Sequence, residues 1–251
     1  MLTKFSLLKR RADLTPEQFG EHWRHTHVQV LVEQGGHREY NRRYVQNHVL
    51  PGLDLDIASN TFDGAAQMLP AHADVLRSGF QEDPRYLRFV RPDEQRFLDV
   101  ASCVVLYCES QPLLLNLRPG AIKWLVLLMR PPGQDRATFL QAWQAHREAL
   151  LHAPTDTWRP LRGITWHEVL PDAARGMAAG ERDRPDQAYD GVVELGFDNL
   201  TDLQTTLASA AGRALLRFDL FDWVGHSHGL VVREEPIYDQ TASSPLNGAP
   251  S

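Results

Sequence analysis

The sequence predicts an α+β fold in which two ferredoxin-like βαββαβ repeats close on each other into a barrel. Three echoes between its halves predict this. Lys4-Phe5-Ser6-Leu7-Leu8-Lys9-Arg10 and Lys123-Trp124-Leu125-Val126-Leu127-Leu128-Met129-Arg130 are both short strand-like runs ending in a base. Phe19-x-x-x-Trp23 and Phe139-x-x-x-Trp143 repeat one aromatic pair at i, i+4, which is a single helix face. Phe62-Asp63-Gly64 and Tyr189-Asp190-Gly191 each open a further strand-like run. The echoes keep one order, 119 to 127 residues apart. Ordered self-similarity marks a duplicated unit.

Each element follows from local signals. Turn residues close the first strands at 12–16 and 131–135. Thr15-Pro16-Glu17-Gln18 supplies an N-cap, a proline at the first helical position and an early acid. Histidines close both helices, His25 and His27 in one and His146 in the other, and Gly35-Gly36 is a helix stop. Strand two spans Glu39 to Val49, and Arg159 to Val169 in the second copy. Strand three starts at Asp63-Gly64 and Asp190-Gly191, where glycine permits positive φ and aspartate caps its own backbone. The last strands run from Ala101 to Glu109 and from Gly225 to Glu234. A four-stranded sheet of this order covers one face with its helices and leaves the other bare. Packing two bare faces together buries both. The expected organisation is a repeat over 1–110, a linker over 111–120, a second repeat over 121–236 and a flexible tail over 237–251. The polar stretch 171–187, and 51–60 as its shorter counterpart, are expected to be loops at the barrel mouths.

The 251 residues are 43% hydrophobic and 23% charged, with net charge −6. That balance gives a globular protein without the basic surface a nucleic-acid partner needs. No apolar run approaches a membrane span, and no secretory leader opens the chain, so a cytoplasmic location is expected. Cys103 and Cys108 leave one strand on opposite faces and are expected to be reduced and buried. Homodimerisation is left open.

The ordered set Phe19-x-x-x-Trp23-x-x-x-His27, Phe62-Asp63-Gly64, Asp83-Pro84-Arg85-Tyr86 and Asp93-Glu94-Gln95-Arg96-Phe97-Leu98-Asp99 resembles the EthD family of the dimeric α/β-barrel superfamily. The second copy keeps Phe139-x-x-x-Trp143 and Tyr189-Asp190-Gly191, but its histidine, His146, comes one position early. Its acidic segment is blurred near Arg217 to Asp222. The resemblance implies a barrel and several chemistries: muconolactone-type isomerases, polyketide cyclases and decarboxylases, cofactor-free monooxygenases and, more distantly, haem proteins.

His27, at the end of the first helix, is the candidate general base. Period-two alternation puts Tyr40, Arg42, Tyr44, Gln46 and His48 on one face of strand two, a polar-aromatic lining suited to an oxygenated ring. The resemblance to methylmuconolactone-type isomerases gives Tyr40 and His48 catalytic places on that strand. Asp63 is either a turn cap or a carboxylate orienting a histidine. Trp23, Arg42, Tyr44, Trp143, His146, His167 and Asp190 are expected substrate contacts. Aligning Leu50-Pro51 with Leu170-Pro171 sets Glu168 opposite His48 and turns His167 to the other face. His25 is expected at the surface. His226 and His228 share a face but lack a third ligand, so no metal is expected, and no cofactor. No nucleophile elbow, phosphate loop or dinucleotide fingerprint occurs. The expected activity is a cofactor-independent lyase or isomerase acting on a lactone, polyketide or aromatic catabolite. A cofactor-free monooxygenase and a non-catalytic binding protein are the alternatives.

Overall fold

A computed structural model of the chain describes residues 1–53, 55–59, 61–72, 79–118, 120–153, 160–171, 175–176 and 188–241. The loop expected over 171–187 falls almost wholly outside them.

In the first half, β1 is Leu2–Leu8. Helix α1, Pro16–Glu21, starts on a capping box: the Thr15 hydroxyl accepts from the Gln18 amide, and the Gln18 side chain accepts from Thr15 N. The chain then widens into π-helical turns over His22–His27 and Val30–Gln34. Gly36, at φ 69°, stops it. Short α2 is His37–Tyr40, followed by β2, Asn41–Val49, and β3, Gly64–Pro70. A π turn over Tyr86–Val90 leads into α3, Arg91–Phe97, and then β4, Val104–Leu115. The second half runs β5 Ile122–Met129, α4 Arg136–Leu151, β6 Leu161–Val169 and β7 Arg175–Gly176. It ends with β8 Gly191–Phe197, α5 Leu200–Ala208, α6 Ala210–Leu216 and β9 His226–Asp239.

The strands form one closed antiparallel barrel, β1-β3-β2-β9-β5-β8-β6-β4, with β4 pairing back onto β1 and the two-residue β7 on β4. Two long strands stitch the halves together. β4 pairs with β1 of its own half and β6 of the other, and β9 pairs with β5 and β2. This corrects two expected boundaries. Residues 111–115 are ladder rather than linker, and Ile237–Asp239 belong to β9 rather than to a tail. Long strands were hidden because Pro112 and Pro236 read as breakers. The register shifts near both prolines, where the ladder is irregular.

The pairings give the true alignment of the halves. Leu8 faces Gly64 as Leu128 faces Gly191, and Lys4 faces Met68 as Trp124 faces Leu195. Lys4 therefore corresponds to Trp124, and Thr3 to Lys123, one residue away from the sequence expectation. In a strand that slip changes the face. The expected match of Glu168 to His48 holds, since they face Gly191 and Gly64 respectively.

The interior of the barrel is mainly apolar, with Phe5, Leu7, Leu106, Leu125, Leu127, Val192 and Leu230 all fully buried. At one level an ionic cluster interrupts it. Lys123, 1% exposed, pairs with Glu194 at 2.9 Å and with Glu234. Gln67 Nε2 donates to Glu194 at 2.9 Å, and Ser110 joins His167 Nδ1 and Thr3 at 2.7 Å each. Two further cores lie outside the barrel, where the helices of each half cover their sheet.

Candidate functional site

The polar-aromatic face of β2 does not look into the barrel; it lies under the helices of the first half. Trp23 Nε1 donates to the Tyr44 hydroxyl at 3.0 Å, and Gln46 Nε2 donates to the same oxygen at 3.1 Å. Both acceptor sites of that oxygen are used, so its own proton is left to donate. Between this face, β1, β3 and α3 is a cavity of about 40 Å³ bordered by Lys4, Trp23, His27, His37, Tyr44, Tyr86 and Glu94. A space this size holds a few waters, so a ring-sized ligand enters only as side chains move.

The wide turns of the first helix bring two histidines to one carboxylate. His27 Nδ1 lies 2.8 Å from Asp93 Oδ2, and His22 Nε2 lies 2.9 Å from Oδ1. Burial alone would raise the Asp93 carboxyl, but these two histidines hold it below its ordinary range. Its position in the first turn of α3 also suits an anion. With Nδ1 engaged, Nε2 of His27 is the nitrogen left to act. Glu94, beside Asp93, has the opposite environment. Burial pushes it up, and the Tyr86 hydroxyl donates to it at 2.6 Å. Burial likewise raises Tyr44 and Tyr86, which keep their protons.

His37 borders the same cavity but is not a base. Burial, then the charge of Lys4, holds it well below the usual histidine range. Asn41 Nδ2 lies 3.0 Å from its Nε2 and the Tyr238 hydroxyl 2.7 Å from its Nδ1. Lys4 is 7% exposed and has no ion pair among the described residues. Its ammonium stands 5.8 Å from the Tyr107 ring centre.

Of the residues expected at the site, Trp23, His27 and Tyr44 come together here. The others do not. Tyr40 belongs to α2 and donates to Asp83 at 2.8 Å, and Arg42 is exposed. His48 lies across Trp23, ring centres 4.4 Å apart, and bonds Gln46 Oε1 at 2.8 Å. It borders a separate pocket of about 350 Å³ with Lys9 and Arg10. Asp63 is a clasp: it accepts from Arg10 N at 3.1 Å and Arg10 Nε at 3.0 Å, with no histidine among its partners. Asp190 does the same for Arg130, whose N is 2.9 Å away. His167 faces the barrel interior against Ser110. His146 bonds Leu215 O at 2.9 Å inside an aromatic cluster.

That cluster fills the second half. Where the first half has Lys4, Tyr44 and Gln46, the second has Trp124, Ile164 and Trp166. Trp143 contacts Trp166 at 5.2 Å, and Phe218 and Trp223 close around His146. A haem does not fit these residues. The first cavity, about 40 Å³, is far too small to hold one. Among the described residues no group of three His, Cys, Asp or Glu could hold a metal ion. Cys103 and Cys108 are buried free thiols, as expected, and burial pushes Cys103 up to about 12. No helix among the described residues is long and apolar enough to cross a membrane.

Sequence reasoning missed Lys4, His22, His37, Tyr86, Asp93 and Glu94. Tyr86, Asp93 and Glu94 stood in recognised segments without roles. Two adjacent acids at the start of a helix that ends in a buried Phe97 were the available signal.

The molecule is a closed α/β barrel covered by helices on each half, with a cavity beside a His–Asp pair in the first half. The EthD domain matches it twice, at residues 11–101 and 131–224, and the chain belongs to the EthD family. Its fold is similar to that of an anthrone oxidase-like protein, with a TM-score of 0.63 at 12% identity over 97% of this chain and 96% of that one. It is also similar to a monooxygenase candidate from Lactobacillus acidophilus NCFM, at 0.51 and 7% over 95% and 96%. A candidate chlorite dismutase aligns at 0.51 and 9% over 93% of both chains. No curated protein matches the sequence.

Proposed function

We propose that the chain is a cofactor-independent lyase or isomerase that takes a proton from a cyclic, oxygenated small molecule, with His27 as the base. The observation that carries this is the His27–Asp93 pair, 2.8 Å apart, at the wall of the first-half cavity. Asp93 accepts the Nδ1 proton and leaves the Nε2 lone pair for a C–H next to a carbonyl. That proton moves to Nε2, and the C–H electron pair flows to the carbonyl oxygen as an enolate. Asp93 balances the imidazolium. The Lys4 ammonium and the free Tyr44 hydroxyl proton are the charge and donor for the enolate oxygen. Return of the proton at a different atom completes an isomerisation, and departure of a leaving group completes an elimination. The halves are read as ferredoxin-like repeats, of which the first carries this chemistry and the second has lost it to Trp124, Ile164 and Trp166.

Incubation in D2O with lactones, cyclic 1,3-diketones and phenolic ketones tests the base. Deuterium is expected at the α-carbon of a recovered substrate, and His27→Ala is expected to abolish it. Undiminished uptake in that variant sinks the assignment.

The likeness in fold to an anthrone oxidase-like protein favours a second reading, a cofactor-free monooxygenase. The first step is the same, but dioxygen then takes the electrons of the carbanion. Consumption of oxygen in step with substrate, followed at an oxygen electrode, selects this reading over the first.

A further inference from the structure

The second half has a pocket of its own, separate from the cavity above. It has a volume of about 380 Å³ and lies between β4, β6 and α4. Its walls include the indoles of Trp143 and Trp166, which are 4% and 5% exposed. Neither Nε1–H has an acceptor among the described residues, and neither does Nε–H of Arg147, a third wall residue.

The reason is visible in the comparison of halves. Trp23 gives its indole proton to Tyr44, but the Tyr44 position is Ile164 in the second half and the Gln46 position is Trp166. The replacement removed the Tyr44 acceptor and put an indole donor where the Gln46 amide stands. A buried donor left unpaired carries the full cost of its lost hydration. Three such donors, all on residues that line one pocket, point to an acceptor that the described residues do not supply.

The rim complements this. Glu109 and Glu168 bring carboxylate acceptors, facing each other across β4 and β6. Arg136 offsets Glu168 at 2.8 Å, and Arg147 supplies the second positive charge. The pocket thus meets both signs of charge, which suits an uncharged guest better than a strongly charged one. A guest that accepts from indole and guanidinium N–H while donating to carboxylates carries hydroxyl groups.

We infer that this pocket binds an uncharged, polyhydroxylated ring compound, with Trp143 and Trp166 donating to its oxygens and Glu168 accepting from a hydroxyl. Both indole nitrogens are sealed from water behind the pocket wall, so a rim side chain gives way on binding. Among the described residues Arg147 has only the exposed contact of its Nη1 with Gln111 as an anchor, and it is the side chain that swings. A sugar and a hydroxylated aromatic share this chemistry. The inference is independent of the function proposed for the first cavity.

The chain has six tryptophans, so an amide proton–nitrogen NMR spectrum of the labelled full chain carries six indole cross-peaks. Trp23→Phe, Trp143→Phe and Trp166→Phe assign three of them, with Trp23 reporting on the first cavity. Methyl β-glucoside and resorcinol are titrated separately. We expect one of them to move the Trp143 and Trp166 peaks downfield with saturation and to leave Trp23 still; the probe that does so names the source. Glu168→Gln, a rim change that keeps the fold, is expected to weaken that binding tenfold or more. The inference fails if neither probe moves the two peaks, if Trp23 moves in the same titration, or if Glu168→Gln binds as the parent does.

Discussion

Lys4 and Trp124 occupy the same place in the two halves, Lys4 opposite Met68 and Trp124 opposite Leu195. One side chain leaves a charged wall on a cavity; the other fills the equivalent space with an indole. A buried ammonium with no ion pair within 4 Å among the described residues is costly unless something else uses it. Lys4→Met should therefore raise stability by about 1–3 kcal/mol in urea unfolding. It should also lower turnover on the order of 10²–10³-fold, as loss of an oxyanion-stabilising group does. A destabilised variant would make Lys4 a structural residue, and a fully active one would remove it from the mechanism.

Asp93 holds His27 and His22 at once, so it should act through His27 rather than on substrate. Asp93→Asn keeps the shape and removes the charge that fixes the imidazole. We expect kcat to fall on the order of 10²–10⁴-fold with KM nearly unchanged. Residues working as one unit are not additive, so Asp93→Asn combined with His27→Gln should be no slower than His27→Gln alone. A further drop of similar size in the double variant would show two separate functions.

The repeated fold was legible because the repeats kept residues whose roles are local. The Phe19/Trp23 and Phe139/Trp143 pairs mark the helices, and the two aromatic-Asp-Gly segments mark the strands. The site was less legible. Side-chain alternation put Tyr44, Gln46 and His48 on one face correctly, but periodicity does not tell which of two covered faces that is. Tyr40 was lost because the helix His37–Tyr40 ends where the strand was expected to start. Lys123 was matched to Lys4 by identity, whereas hydrogen-bond register pairs it with Thr3. Asp93 meets His27 across 66 residues, through π-helical turns that no sequence period announces.

Lys123 sits between Glu194 and Glu234 at the centre of the barrel. Burial alone would lower Lys123, but the two carboxylates raise it. Burial alone would raise Glu194, but Lys123 and His167 hold it well below its ordinary range. Lys123→Met leaves two facing carboxylates without their lysine, His167 still standing beside Glu194, and should cost about 3–5 kcal/mol at pH 7. The depressed Glu194 contributes stability above the unfolded carboxylate pKa of about 4.3, lost as pH falls further. In the variant the sign reverses: the carboxylates prefer to be protonated, and acidification from pH 7 toward 5 should stabilise. Urea midpoints at the two pH values read this. A variant that weakens on acidification as the parent does would contradict the cluster.

Acid should also act through the histidines of the first half. Burial lowers His48 to about 4, and His37 is lowered well below its usual value. Their contributions are complete above the unfolded value of about 6.5 and are lost as pH falls toward the folded values. Each such histidine adds a slope of up to about 1.4 kcal/mol per pH unit between 6 and 4. His48→Gln should flatten the acid limb by one such slope. An unchanged limb would mean that His48 takes up its proton in the folded chain.

Gly64 and Gly191 open β3 and β8 after the repeated aspartates, and neither has positive φ. What they provide is room. A Cβ on Gly64 would come within 2.5 Å of the Trp23 ring, and one on Gly191 would collide with Trp143. Each glycine seats the tryptophan of its own half, so the motif is a packing device rather than a turn. Gly64→Ala must displace Trp23 and with it the hydrogen bond to Tyr44. Overpacking of this kind costs about 1–3 kcal/mol, and the displaced indole should also reduce turnover. Gly191→Ala should carry a similar stability cost through Trp143 while leaving kcat within about twofold, because the second half lacks the His–Asp pair. Differential scanning calorimetry of both variants, with kcat measured beside it, separates the two effects. Equal loss of activity in both would mean that the second half contributes to catalysis after all.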